Sequence, residues 1–128
     1  IPPDFTAITG ASLSDRCGRK FFQRMALKPA VFFDRDGTLN QERDYVRSLE
    51  EFSLVPQIVP ALRSLQELGL QLVVVTNQSG VARGYLTRET LELIHNSLEQ
   101  ELGRSGIHLA GIYACLHHPD DRCPCRKP

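Results

Sequence analysis

The chain has 128 residues, room for one domain of ordinary size and too few for two. With 41% hydrophobic and 23% charged residues it is composed like a globular protein, which excludes disordered and collagen-like classes. Fifteen basic residues balance fifteen acidic ones, so charge offers no attraction to nucleic acid or to an anionic membrane surface.

Residues 1–24 mix Pro, Gly, Ser and charges without a period and carry no basic start followed by an apolar core, so no secretory leader is expected there. They read as an N-terminal extension or linker ahead of Met25, the single methionine, and residues 25–128 read as the domain. Ala30 to Phe33 is a continuous apolar run that ends in Asp34 and predicts a first strand. Ile58, Ala61, Leu62, Leu65 and Leu68 recur at helical spacing, and Gly69 closes that segment as a C-cap glycine does. Gln71 to Val75, rich in valine and followed by Thr76, predicts a second strand. Thr87 caps a second helix striped by Leu91, Ile94, Leu98 and Leu102 and ending near Gly103 or Gly106, with His95 beside the stripe as a packed or surface residue. Gly111 to Cys115 predicts a third strand. Such runs suit strands buried on both faces, and strand alternating with helix predicts an α/β fold with a parallel sheet and right-handed crossovers. The chemistry of such sheets collects at the carboxyl ends of the strands, where Asp34, Thr76 and Cys115 all stand. No run approaches the ~20 apolar residues of a membrane span.

Three segments carry chemistry. Asp34 and Asp36 are two carboxylates two residues apart, which repel unless a cation lies between them; Mg²⁺ is the natural cation for a cage of carboxylate and phosphate oxygens. With it bound, Asp34 can attack phosphorus while Asp36 protonates the leaving oxygen and then deprotonates water. An ordinary acidic turn would use the same residue types, and so would a plain turn over Thr76, Asn77, Gln78, Ser79 and Gly80, where a hydroxyl and backbone N–H groups can hold phosphate oxygens. The third segment holds Cys115, His117, His118, Cys123 and Cys125, while Cys17 stands alone. Three thiolates and one imidazole complete a closed tetrahedral zinc site of the structural kind, and the clustering points to a reducing, cytoplasmic setting rather than a disulfide-stapled secreted domain.

The first two segments resemble the opening motifs of the haloacid dehalogenase superfamily of phosphohydrolases. The continuation Val81-Ala82-Arg83-Gly84 and the late Cys-His cluster resemble the D-glycero-D-manno-heptose 1,7-bisphosphate 7-phosphatases and their near relatives, the histidinol-phosphate phosphatases. The resemblance covers Lys28 to Pro128 and implies a Rossmann-like parallel sheet without a large cap domain, present only in part. It implies a Mg²⁺-dependent phosphomonoesterase, with Asp34 as nucleophile, Asp36 as acid and base, and both at the Mg²⁺ site. A small phosphorylated sugar or an amino-alcohol phosphate is the expected partner, handled by a monomer with no need of nucleic acid or membrane. The resemblance selects His117 over His118 beside Cys115, Cys123 and Cys125 in a zinc loop over residues 115–125. It gives Lys127 and Thr76 to the phosphoryl group, Arg126 to substrate recognition, and Glu42, Arg43, Asp44 and Tyr45 to a substrate loop.

The superfamily's last motif supplies further Mg²⁺-binding aspartates from a later strand, and no segment of that form occurs here; Asp120 and Asp121 are expected to turn the zinc loop instead. A fragment of an active parent is therefore expected. A zinc-stabilised binding module without catalysis is the rival from another class, and dehalogenation, which has no use for Asp36 or Mg²⁺, stands behind both.

Overall fold

A computed structural model describes residues 27–128 together with the backbone pairing of Thr6–Ala7. Four strands form one sheet in the order β1-β4-β3-β2, with β1 Thr6–Ala7, β2 Ala30–Phe33, β3 Gln71–Asn77 and β4 Leu109–Cys115. β2, β3 and β4 run parallel, and β1 lies antiparallel to β4, pairing Thr6 with Ala114. The crossovers are α1 Ile58–Glu67 and α2 Arg88–Arg104. Residues 34–57 connect β2 to α1 as loop and a single 3₁₀ turn, with no cap domain. The expected extension over residues 1–24, with Cys17 and the Met25 start, lies outside the described residues except at β1, whose two residues add an edge to the sheet.

The local signals act where they stand. The Thr87 hydroxyl accepts a hydrogen bond from Thr90 N at 3.1 Å and so satisfies one of the free N–H groups opening α2. Gly69, at φ +81°, takes the left-handed turn that releases the chain from α1 into β3. Leu62 of α1 and Leu98 and Leu102 of α2 pack with Leu72, Val74 and Ile112 of the sheet in one buried cluster.

β2 differs from the expectation of a strand buried on both faces. Among the described residues it pairs only with β3, and Phe32 is 68% exposed. Phe33 packs against the core, so the alternation of side chains along the strand sends Phe32 to the opposite, uncovered side. β3 fulfils the expectation: Leu72, Val73 and Val74 are all buried.

Candidate active site

The parallel register aligns the strand ends. Phe33 pairs with Val74, Thr76 with Ala114 and Asn77 with Cys115, so the residues that follow β2, β3 and β4 meet at one edge of the sheet. Gly37, at φ +76°, turns the chain back after Asp36, and a Cβ there would collide with the Glu42 carboxylate. Leu39 and Asn40 then tuck under the turn, their N–H groups donating to Arg35 O.

Asp34 stands at the mouth of the site. Its Oδ1 accepts from Arg35 N at 2.9 Å and meets Lys127 Nζ at 2.7 Å, which leaves Oδ2 with no protein partner among the described residues. The Lys127 ammonium also donates to Val75 O at 3.0 Å. The lysine is delivered by its own backbone: Asn77 Nδ2 donates to Lys127 O at 3.1 Å, and Lys127 N donates to Asn77 Oδ1 at 3.2 Å. One side-chain amide thus replaces a strand partner for the last described segment.

Asp36 sits deeper. Its Oδ1 accepts from Arg35 Nε, Arg35 Nη2 and Asn40 Nδ2, and its Oδ2 from Gln78 Nε2 at 2.8 Å. Burial works to raise its pKa, but the Arg35 charge and the bonds from Asn40, Gln78 and Arg35 prevail and hold the carboxyl below its ordinary value. The same Gln78 amide donates to Thr76 Oγ1 at 2.9 Å, so Thr76 keeps its hydroxyl hydrogen for another acceptor. Ser79 opens a run of tight turns, Arg83 N donating to Ser79 O and Tyr85 N to Gly80 O.

Beyond the end of β4, within the eleven residues Cys115–Cys125, four donors gather. The Sγ atoms of Cys115, Cys123 and Cys125 lie 3.4–3.5 Å apart, and His117 Nδ1 is 3.6 Å from Cys115 Sγ and 3.2 Å from Cys125 Sγ. A tetrahedral ion with metal–sulfur bonds of ~2.3 Å sets its sulfurs roughly 3.8 Å apart, so the cage has the size and donor softness for one. Burial and the two neighbouring sulfurs push the Cys125 thiol up to about 12. At Cys123 burial acts the same way, yet hydrogen bonds from Cys115, Cys125 and the nearby backbone bring it down to about 7. Protons on crowded sulfurs are what a divalent cation displaces. His118 is no part of the cage: its Nδ1 accepts from Asp120 N, and its N–H donates to Asp121 Oδ2, so the two aspartates turn the loop.

The structure brings Asp34, Asp36, Thr76, Asn77, Gln78 and Lys127 together. Arg126 follows the cage directly, with Nη1 buried and unpartnered among the described residues. The loop over residues 42–45 is less drawn in. Glu42, Arg43 and Asp44 are exposed, and Tyr45 stacks edge-on to Tyr85, whose ring carries the Arg47 guanidinium at 4.5 Å. Sequence reasoning left Arg35 and Asn40 without a role, although both are fully buried, while His95, expected as a packed or surface residue, is packed at 1% exposure. His95 falls four residues after Leu91 and three before Leu98, the spacing of the buried stripe, and that polar intrusion was the available signal.

The family model for polynucleotide kinase 3 phosphatase matches residues 29–128. A D-glycero-beta-D-manno-heptose-1,7-bisphosphate 7-phosphatase of Yersinia pestis is 43% identical over 107 residues, covering 78% of this chain and 57% of that protein. Its counterpart in Escherichia coli K12 is 41% identical over 107 residues, covering 78% and 56%. The D,D-heptose 1,7-bisphosphate phosphatase of B. bronchiseptica, solved with magnesium and phosphate, superposes with a TM-score of 0.75 at 39% identity, over 78% of this chain and 56% of that one. The chain therefore spans a little over half the length of these relatives. It belongs to the polynucleotide kinase 3 phosphatase family, among the phosphatases of the haloacid dehalogenase type.

Proposed function

We propose that this chain carries the nucleophile and the acid-base group of a Mg²⁺-dependent phosphomonoesterase that removes the 7-phosphate of D-glycero-D-manno-heptose 1,7-bisphosphate. The observation that carries the reading is the Asp34–Lys127 pair at 2.7 Å beside the Thr76 loop, because it sets a carboxylate and a cation where a phosphoryl group is attacked and neutralised. Heptose is favoured over histidinol phosphate because the relatives described above act on heptose bisphosphate.

Asp34 Oδ2 attacks phosphorus, the bond from phosphorus to the ester oxygen breaks, and Asp36 passes a proton to the departing oxygen. Water then attacks the aspartyl phosphate, Asp36 takes its proton, and inorganic phosphate leaves with the Asp34 carboxylate restored. The ionised state of Asp36 suits the second step directly; for the first, a phosphate dianion beside it raises its affinity for the proton it must give. Lys127 balances charge on the phosphoryl oxygens, Thr76 and the N–H groups around Ser79 donate to them, and the unpartnered Arg126 Nη1 suits a further anionic or hydroxyl oxygen of the substrate. Asp34 and Asp36 supply hard oxygen donors that fit Mg²⁺, an ion that takes about six oxygens and draws the remainder from water and phosphate. When bound, the ion neutralises the charge that builds between carboxylate and phosphoryl group. Cys115, His117, Cys123 and Cys125 would hold zinc as a structural ion. Its thiolates suit a reducing cytoplasm, and a monomer suffices because all the groups named lie on one chain.

The test is phosphate release, with and without Mg²⁺, by the product of the complete gene encoding this chain. Heptose 1,7-bisphosphate, histidinol phosphate and a 3′-phosphorylated oligonucleotide serve as substrates. Mg²⁺-dependent release from the heptose is expected, falling at least about a thousandfold in Asp34→Asn. An active Asp34→Asn enzyme overturns the mechanism, and preference for another substrate overturns the assignment.

A further inference from the structure

His95, on α2, belongs to none of the groups placed around the phosphate, yet it is 1% exposed and aimed at the acid-base aspartate through one intermediary. That intermediary is Arg35, the residue between the two aspartates, whose side chain is wholly buried. Each corner of its guanidinium has a partner. Nε and Nη2 donate to Asp36 Oδ1 at 3.1 and 2.8 Å, Nη2 also to Gln78 Oε1 at 3.1 Å, and Nη1 to His95 Nε2 at 3.2 Å. A guanidinium has no lone pair, so His95 Nε2 must accept and the imidazole is neutral with its hydrogen on Nδ1. Burial and the Arg35 charge favour that neutral form strongly, pushing His95 down to about 3 against the pull of Asp36.

We infer that His95 is a positioning residue for the proposed reaction: by anchoring the far corner of Arg35, it fixes the direction in which the Asp36 carboxylate faces the substrate. The inference rests on the acid-base role proposed for Asp36. Three anchors define a plane, and the guanidinium is planar and rigid; with His95 removed, the Nη1 corner has no partner and the fork, held only by Asp36 and Gln78, can tilt and shift that carboxylate. The chemistry of the third anchor matters. A carboxylate at position 95 would compete with Asp36 for the cation and draw the fork away, whereas a neutral acceptor satisfies the buried N–H and leaves the charge with Asp36. Gln78 completes the frame, because the oxygen of its amide accepts from Arg35 while its nitrogen donates to Asp36 Oδ2.

The experiment measures kcat and KM for Mg²⁺-dependent phosphate release by the product of the complete gene, with thermal melts of each variant. His95→Leu removes the anchor, His95→Gln restores a neutral acceptor, and His95→Glu supplies a charged one. The expectation for His95→Leu is a kcat lowered at least about tenfold with KM within about twofold, and for His95→Gln a kcat within about threefold of the parent. His95→Glu should fold, since its charge is paired, yet share the kcat loss; this keeps the idea testable if His95→Leu does not fold. Unchanged kcat in folded His95→Leu or His95→Glu overturns the inference and leaves the phosphatase reading intact. A parent protein without phosphatase activity overturns both.

Discussion

The side chain of Asn77 uses both ends of its amide on the backbone of Lys127, so the lysine proposed to face the phosphate is held by a neighbour from the Thr76 loop. Asn77→Ala removes two hydrogen bonds of about 1 kcal/mol each, and kcat for phosphate release should fall on the order of tenfold. Asn77→Asp, which keeps only the acceptor, should fall between; equal activity in all three proteins contradicts the clamp. His95 makes a second prediction. Unfolded, it takes up a proton near its ordinary 6.5, whereas in the fold it resists down to about 3. The unfolded chain therefore binds more protons between those values, so the stability contributed by the neutral imidazole is complete above pH 6.5 and drains as pH falls toward 3. Denaturant midpoints at pH 7.5 and 5 should show that loss in the parent and a smaller one in His95→Gln. At this scale the sequence was legible where spacing and local motif carry the information, as at Asp34, Asp36 and the cysteines. It was silent on Arg35, whose neighbours Gln78 and His95 are brought to it only by the sheet and by α2.

Elements were more legible than contacts. Thr87 and Gly69 each stand at a helix end because local hydrogen bonding and backbone freedom decide those positions without tertiary help. Thr87→Ala should lower stability by about 1 kcal/mol, read as a shift of the denaturation midpoint. Leu98→Ala, in the buried cluster beneath the sheet, should cost about 2–5 kcal/mol by the same measurement. The run Ala30–Phe33 announced a strand but not its exposure. An apolar run reports what a strand can bury, and only its neighbours decide whether Phe32 is covered. The 3₁₀ turns at Leu49–Glu51 and Pro119–Asp121 left no periodic trace because each is a single turn.

For the whole molecule, the Cys-His cage and the proposed phosphate site are joined through a short stretch of backbone. Cys125 ends the cage two residues before Lys127, and the backbone of Lys127 is pinned to Asn77. Removing the proposed zinc with a chelator should therefore release about one equivalent of metal and abolish phosphate release even with Mg²⁺ in excess. Readdition of zinc should restore it; full activity in the metal-stripped protein contradicts the coupling. The α/β class, the parallel sheet and the meeting of three segments at one edge could all be read from where apolar runs end in polar residues. The antiparallel strand Thr6–Ala7 could not, since two residues carry no alternation to detect.

The order of these parts along the chain has a consequence for how the protein comes into being. During synthesis the Asp34 turn leaves the ribosome long before Lys127, so the pair between them cannot form until the whole Cys115–Cys125 segment has been made. On the proposed mechanism, the nucleophile is therefore made first and meets its cation last.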